Sequence, residues 1–237
     1  MPEKLLYEGK AKKLFTTEDP GLLRVEYKDD ATAFNGKKFD RLEGKGQLNN
    51  AISIFFFEYL GKNQIPSHFV RRISETEQLV RSVQIVPLEV VVRNVAAGSL
   101  SKRIGWDEGR ELPYPIVEFY YKDDDLGDPL LAEEHIRLLE LTTEEEMQEL
   151  KKMGLAVNKV LRPLLEQKNI RLIDFKLEFG LDQNGGLLLA DEISPDTCRF
   201  WDADTGNKMD KDRFRRDLGG VTEAYREIYQ RLTGDNL

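Results

Sequence analysis

Residues 170–196 alternate as a half-buried strand should. Asp174, Lys176 and Glu178 interleave with Ile173, Phe175, Leu177 and Phe179, which gives one apolar and one ionic face. The Asn184-Gly185 pair suits a two-residue type I′ turn, because both positions tolerate positive φ. Counting outward from that turn sets Gln183 opposite Gly186, Gly180 opposite Leu189 and Glu178 opposite Asp191. The two carboxylates would then face each other at a Cβ separation of roughly 4.5–5.5 Å, and like charges so placed call for a cation between them. A turn at Gly185-Gly186 would slip this register and separate the acids.

The rest of the chain reads as strands first and mixed elements later. Lys4–Glu8 and Lys12–Thr16 flank Gly9-Lys10-Ala11 as a hairpin, and 22–27 follows Pro20-Gly21 as a third strand. Ala51, Ile52, Phe55, Phe56, Tyr59 and Leu60 recur at helical spacing over 47–60, with Gly61 as the stop. A second hairpin spans 68–85 around Ser74–Glu77, and a new strand, 88–92, follows Val86-Pro87. The lobe boundary falls there, giving lobes of 1–86 and 87–237. A short helix at 100–104 takes Ser99 as its cap, and 107–135 is loop-rich. Thr143 with Glu146 makes a capping box for a long helix that Pro163 should kink or divide. A loop, 194–212, and a final helix, 212–232, end the chain. This order predicts an α+β protein of two lobes with a cleft between them.

Composition narrows the chemistry. The 237 residues carry a net charge of −8, are 40% hydrophobic and 33% charged, and include one cysteine and two histidines. An acidic balance argues against a dedicated nucleic-acid binder. A single cysteine excludes an intramolecular disulfide framework, and no apolar run reaches signal-peptide or membrane-span length, so a cytoplasmic protein is expected. His68 and His135 leave little room for a histidine relay or metal cluster. No G-x-S-x-G, phosphate-binding P-loop or dinucleotide fingerprint occurs, and Gly44-Lys45-Gly46 lacks the further glycine such a loop needs.

Four stretches can carry chemistry. Glu178 and Asp191 suit Mg²⁺, which takes one or two carboxylates plus substrate phosphates. Gly9–Lys12 can lie over a polyphosphate, although a surface hairpin would look the same. Arg93, Ser99 and the start of the following helix can converge on a phosphate monoester, or Arg93 can salt-bridge a carboxylate. Cys198 lacks a neighbouring base and reads as a half-buried filler, and Trp201 as packing. Lys211, Arg213, Arg215 and Arg216 crowd a helix start that prefers acids, so a nearby anion should relieve them.

Together these residues resemble the phosphoribosylaminoimidazole-succinocarboxamide synthase (SAICAR synthase) family. The resemblance rests on Val86–Ser99, read VPLEVVVRNVAAGS, and Leu172–Gly180, read LIDFKLEFG. Gly9–Lys12, Lys122–Asp124, Asp128-Pro129, Asp191-Glu192, Ser194–Asp196 and Met209–Arg215 add to it, so it covers essentially the whole chain. It implies a two-lobed α+β fold with an antiparallel-sheet nucleotide lobe and a larger mixed lobe. It also implies ATP-dependent joining of L-aspartate to 4-carboxy-5-aminoimidazole ribonucleotide, with Mg²⁺, in the cytoplasm, and with no nucleic-acid or membrane partner. Assembly as a homodimer is left open. By the same resemblance Lys10, Ala11, Lys12, Arg81 and Val86 fall to ATP, and Glu178 and Asp191 to the metal. Arg93, Ser99, Lys122, Asp196 and Arg199 fall to the ribonucleotide, Asp174 and Lys176 to its reacting end, and Lys211 and Arg215 to aspartate. A small-molecule kinase and a non-catalytic nucleotide sensor are the alternatives.

Overall fold

The structure, a computed structural model, describes residues 3–34 and 36–237. The first strands form as the alternation predicts: β1 (Leu5–Glu8), β2 (Lys12–Thr16) and β3 (Leu22–Tyr27). A short hairpin follows, β4 (Asp30–Ala33) and β5 (Lys38–Arg41), then α1 (Lys45–Lys62), β6 (Phe69–Arg72) and β7 (Glu77–Arg81). The β4–β5 hairpin escapes the sequence reading because its inward residues are only Ala31 and Ala33. They complete a small core with Leu48, Phe214, Val221 and Tyr225. Five of these strands make one antiparallel sheet in the order β1-β2-β3-β7-β6. Helix α1 begins directly after Gly44, whose φ of 80° few other residues would adopt. It buries Ile52, Phe56, Phe57 and Leu60 in the main core.

A second sheet holds the rest. Its strands are β8 (Gln84–Val95), β9 (Glu111–Tyr121), β10 (Leu130–Leu131), β11 (Ile170–Leu181), β12 (Leu187–Ala190) and β13 (Cys198–Asp202). The order is β10-β9-β8-β11-β12, with β13 also on β11. Strand β8 runs unbroken through Pro87. Its pairing with β11 is irregular there, stepping from Glu178 opposite Glu89 to Gly180 opposite Ile85, and a bulge tolerates a residue without an N–H. Strand β9, expected as loop, keeps Pro113 and Pro115 because β10 pairs only with its other end, at Phe119 and Tyr120. Strand β13 likewise lies inside the stretch expected as loop.

Helices α2 (Gly98–Ile104), α3 (Glu133–Leu138), α4 (Glu144–Gln167), α5 (Asp212–Arg215) and α6 (Val221–Thr233) complete the chain. Thr143 caps α4 with the expected box, and α4 continues through Pro163 as one element. Its Met147, Leu150, Val157, Leu161 and Leu165 pack on the apolar side of the second sheet, where Leu172, Phe175, Leu177 and Phe179 are buried. The expected last helix is two, divided at Gly219-Gly220, with φ of 67° and 59°. Ser99 is not a cap: Ala97 holds that place without a side-chain bond, and α2 starts at Gly98. Among the described residues no helix is long and apolar enough to cross a membrane.

The acidic hairpin differs by one residue from the reading. Asp182 N–H donates to Gly186 O at 2.9 Å and Gly185 N–H to Asp182 O at 3.0 Å, so three residues turn and Gly185 takes φ 79°. The Asp182 carboxylate accepts from Asn184 N–H and Gly186 N–H, both at 2.8 Å, which selects this turn over type I′. Glu178 is therefore opposite Ala190, not Asp191.

One consequence is testable. Leu177 is fully buried on the apolar face, so Leu177→Ala should lower unfolding free energy by about 2–5 kcal/mol in urea titration. A loss well under ~1 kcal/mol would mean that this face is not packed as described.

Candidate active site

Between the two sheets lies a cleft of about 830 Å³, within the usual range for small-molecule sites. One end is apolar, lined by Leu14, Leu23, Val25, Val80 and Val83 beside Arg81. The other is lined by Glu89, Arg93, Asp174, Lys176, Glu178, Asp191, Asp196, Arg199, Lys211 and Arg215. Lys10, Ala11, Lys12 and Lys122 line it as well. Val86 and Ser99 do not: Val86 is buried in β8, and the Ser99 hydroxyl accepts from Arg93 Nη2 at 3.1 Å.

Although Asp191 is not opposite Glu178, both reach the cleft. Strand β12 ends at Ala190, and Asp191 takes a left-handed φ of 58°, which breaks the strand alternation that would otherwise send its side chain to the other face. Lys176 lies between the acids. Its Nζ is 2.6 Å from Glu178 and 2.7 Å from Glu89. Burial opposes its charge, yet Glu178, Glu89 and Asp191 outweigh burial and hold it well above the ordinary lysine range. Lys122 adds a contact to Glu178 at 2.7 Å. Lys12, from the first sheet, binds Asp191 and lies 2.9 Å from Glu192. Burial would raise Asp191, but Lys12, Lys176 and Lys122 carry it below the carboxylate range.

A second cluster surrounds Asp174. Arg93 Nη1 donates to it at 2.7 Å and Arg199 Nη1 at 2.9 Å, while Arg93 Nε holds Glu118 at 2.7 Å and Arg199 Nε holds Asp212 at 3.0 Å. Gly98 makes room for Arg199: a Cβ there would stand 2.5 Å from Nη2, and its φ is 54°. In a third cluster Asp196 accepts from buried Lys45 at 2.6 Å and from Tyr225 Oη at 2.6 Å, with Lys211 at 3.7 Å. Of the basic residues near the last helices, Arg215 and Arg216 find their anions in Asp212 and Glu108, whereas Arg213 donates to the backbone carbonyls of Lys208 and Gly219.

Several of these partners escaped sequence reading. Glu89 sits inside a greasy run and Glu118 inside a stretch read as loop. Lys45 belongs to the discounted glycine segment, yet it is 1% exposed. A cation at a helix start with no acid in its first turn is the signal that could have found it. Cys198 is fully buried rather than half, and burial pushes its thiol far up, so it is no nucleophile. Among the described residues no three His, Cys, Asp or Glu side chains gather as a metal cage. Glu178 and Asp191 offer only oxygen donors, beside the ammonium groups of Lys176, Lys122 and Lys12, which fits a hard ion bound jointly with a polyphosphate.

The comparisons agree with one another. The family model described as SAICAR synthetase matches residues 5–232. The phosphoribosylaminoimidazole-succinocarboxamide synthase of Lysinibacillus sphaericus is 63% identical over 97% of this chain and 98% of its own. That of Bacillus subtilis is 60% identical over 97% and 95%. A solved SAICAR synthetase in complex with ADP superposes with a TM-score of 0.95 at 51% identity, covering 98% of each chain. The Ehrlichia chaffeensis enzyme gives 0.95 at 45% identity, over 99% of this chain and 100% of its own.

His68 lines the same cleft, and its Nε2 is buried without a partner. Burial lowers its pKa from 6.5 to about 4, with the Asp191 charge opposing and Lys12 assisting. A base depressed in the folded state binds fewer protons there than when unfolded, so stability is full above pH 6.5 and falls as pH drops toward 4. His68→Leu should remove up to about 3 kcal/mol of that acid-side loss. Urea titrations of both proteins from neutral pH down to pH 4 check it; parallel curves would refute the assignment.

Proposed function

The chain belongs to the SAICAR synthetase family, and from that premise we propose which of its residues carry out the family's reaction. That reaction joins L-aspartate to 4-carboxy-5-aminoimidazole ribonucleotide at the expense of ATP, giving SAICAR, ADP and phosphate. The observation that carries the assignment is the cleft itself, greasy at one end and ionic at the other, with cations in matched pairs rather than a nucleophile at its centre.

Residues 1–86 form the nucleotide lobe and 87–237 the ribonucleotide and metal lobe. The adenine lies against Leu14, Leu23, Val25 and Val80, close to Arg81 and the backbone at Val86. The turn at Gly9–Lys12 covers the phosphates. It is tied across the cleft mouth by Lys10 to Asp124 at 2.7 Å, an exposed pair that gives way easily. Glu178 and Asp191 would hold Mg²⁺, which would supply charge neutralisation on the transferring phosphoryl group.

A carboxylate is a poor electrophile, and its phosphorylation by ATP gives the amine of aspartate a group to displace. Lys176 and Lys12 offset the charge that builds on phosphate oxygens in a water-poor cleft, where such compensation is usually the largest catalytic contribution. Lys122 joins them at the ribonucleotide's carboxylate. Arg93 and Arg199 turn from Asp174 to grip the ribonucleotide phosphate, with the Ser99 hydroxyl beside them. Asp174 then faces the imidazole, and Asp196 orders the neighbouring cations. Lys211 and Arg215 take the carboxylates of aspartate. A kinase would need a hydroxyl acceptor and no amine, so steady ADP release without aspartate would favour that rival.

Two measurements test these roles. Glu178→Gln and Asp191→Asn should each lower turnover by at least ~10²-fold while leaving cooperative unfolding intact; near-normal turnover in both would remove the metal assignment. Arg93→Ala and Gly98→Ala should raise KM for the ribonucleotide far more than KM for ATP, since the Gly98 methyl would push Arg199 aside. Equal effects on both substrates would refute the phosphate site.

A further inference from the structure

Asp174, Lys176 and Glu178 form a row along the cleft face of β11, and the next residue in that row is Gly180. A glycine inside a strand weakens it and often marks a close approach by other backbone. Its φ is not positive, so the glycine serves space rather than conformation. What approaches is the connector between the two sheets. Strand β7 ends at Arg81 in the first sheet and β8 begins at Gln84 in the second, so Ser82 and Val83 alone join them. Three residues of β8, Val86, Pro87 and Leu88, stand against the single Phe179 of β11, and this irregularity carries the connector over Gly180.

Val83 sits directly on the glycine. A Cβ at Gly180 would stand 2.5 Å from Val83 Cγ2, 2.8 Å from Val83 Cβ and 3.1 Å from Gln84 O. Atoms do not pack that closely, so a methyl there forces one segment to move. Strand β11 is fixed, because Gly180 pairs with Ile85 on one side and Leu188 on the other. The connector is the weaker partner: Val83 is only half-buried, and Ser82 is tied to the first sheet's Gly21 O by its N–H at 2.8 Å. Val83 also lines the apolar end of the cleft, whereas Gly180 beneath it does not.

We propose that Gly180 is a positioning residue for the nucleotide: its missing side chain seats Val83 on β11, and that seat sets the depth of the pocket that receives adenine. This rests on the placement of adenine against Leu14, Leu23, Val25 and Val80. Because Gly180 belongs to the cleft face of its strand, displacing Val83 from it moves Val83 into the cleft. The groups assigned to the ribonucleotide, Arg93, Asp174 and Arg199, meet at the other end of the row and are untouched by that shift.

Gly180→Ala should weaken ADP binding in calorimetry and raise KM for ATP, each by at least about tenfold, as overpacking at one contact would. KM for the ribonucleotide and for aspartate should stay unchanged. With the obstruction removed, Gly180→Ala/Val83→Gly should bind ADP within about twofold of Val83→Gly alone. That comparison holds even where Gly180→Ala by itself does not fold. Unchanged ADP affinity in Gly180→Ala, or a double variant impaired relative to Val83→Gly, would overturn the proposal. Leu14→Ala and Leu23→Ala thin the apolar end and leave the connector alone. Weaker ADP binding in these two beside an unaffected Gly180→Ala would remove the seat only. Unchanged binding in both would remove the adenine placement, and the proposal with it.

Discussion

One strand has to be core on one face and electrolyte on the other. In β11, Phe175, Leu177 and Phe179 are fully buried against α4 while Asp174, Lys176 and Glu178 line the cleft one residue away. Charges this close to a hydrophobic core are desolvated, and an unpaired ion there costs several kcal/mol. The chain meets that constraint by pairing: Asp174 with two guanidinium groups, Glu178 with two ammonium groups, Lys176 with two carboxylates. The cleft is thus neutralised in advance. A phosphate bound there would replace a carboxylate partner already present, so the donors would not have to be assembled when it arrives.

The same pairs hold the halves together. Lys12 comes from the first sheet and ends on Asp191 and Glu192 beyond the second. Lys45, at the start of α1, ends on Asp196, and Lys10 on Asp124. Their burial grades their strength. Lys45 and Asp196 have 1% and 4% exposed side chains, Lys10 and Asp124 have 47% and 68%. The exposed pair is screened by solvent and yields at little cost, whereas the buried one does not. The Gly9–Lys12 turn is therefore the part free to move, and the floor of the cleft beneath Lys211 is the part fixed.

Legibility followed periodicity. β11 was readable because its two faces differ so sharply, and α4 because its cap and apolar spacing agree. The hairpin register was misread by one residue because Asp182, by accepting two backbone N–H groups, chooses the turn, and nothing in the Asn184-Gly185 pair reveals that choice. Strand β9 was hidden by two prolines that only an edge position tolerates. Glu178 and Asp191 still share the cleft, for a reason no alternation rule contains: a positive φ at Asp191 turns its side chain back. Glu89 and Glu118 were invisible as site partners because each pairs with a residue distant along the chain.

The groups that could do covalent work are disarmed where they stand. Burial raises the Cys198 thiol out of reach of ionisation and lowers the His68 imidazole to about 4, so at neutral pH neither thiolate nor imidazolium is present in the cleft. What remains is a set of fixed cations and anions. Such a set needs no enzyme-bound intermediate: it can hold three charged substrates in line and compensate charge as it moves between them. Phosphoryl transfer to a carboxylate followed by amine attack asks for that alone, apart from one proton that must leave the amine.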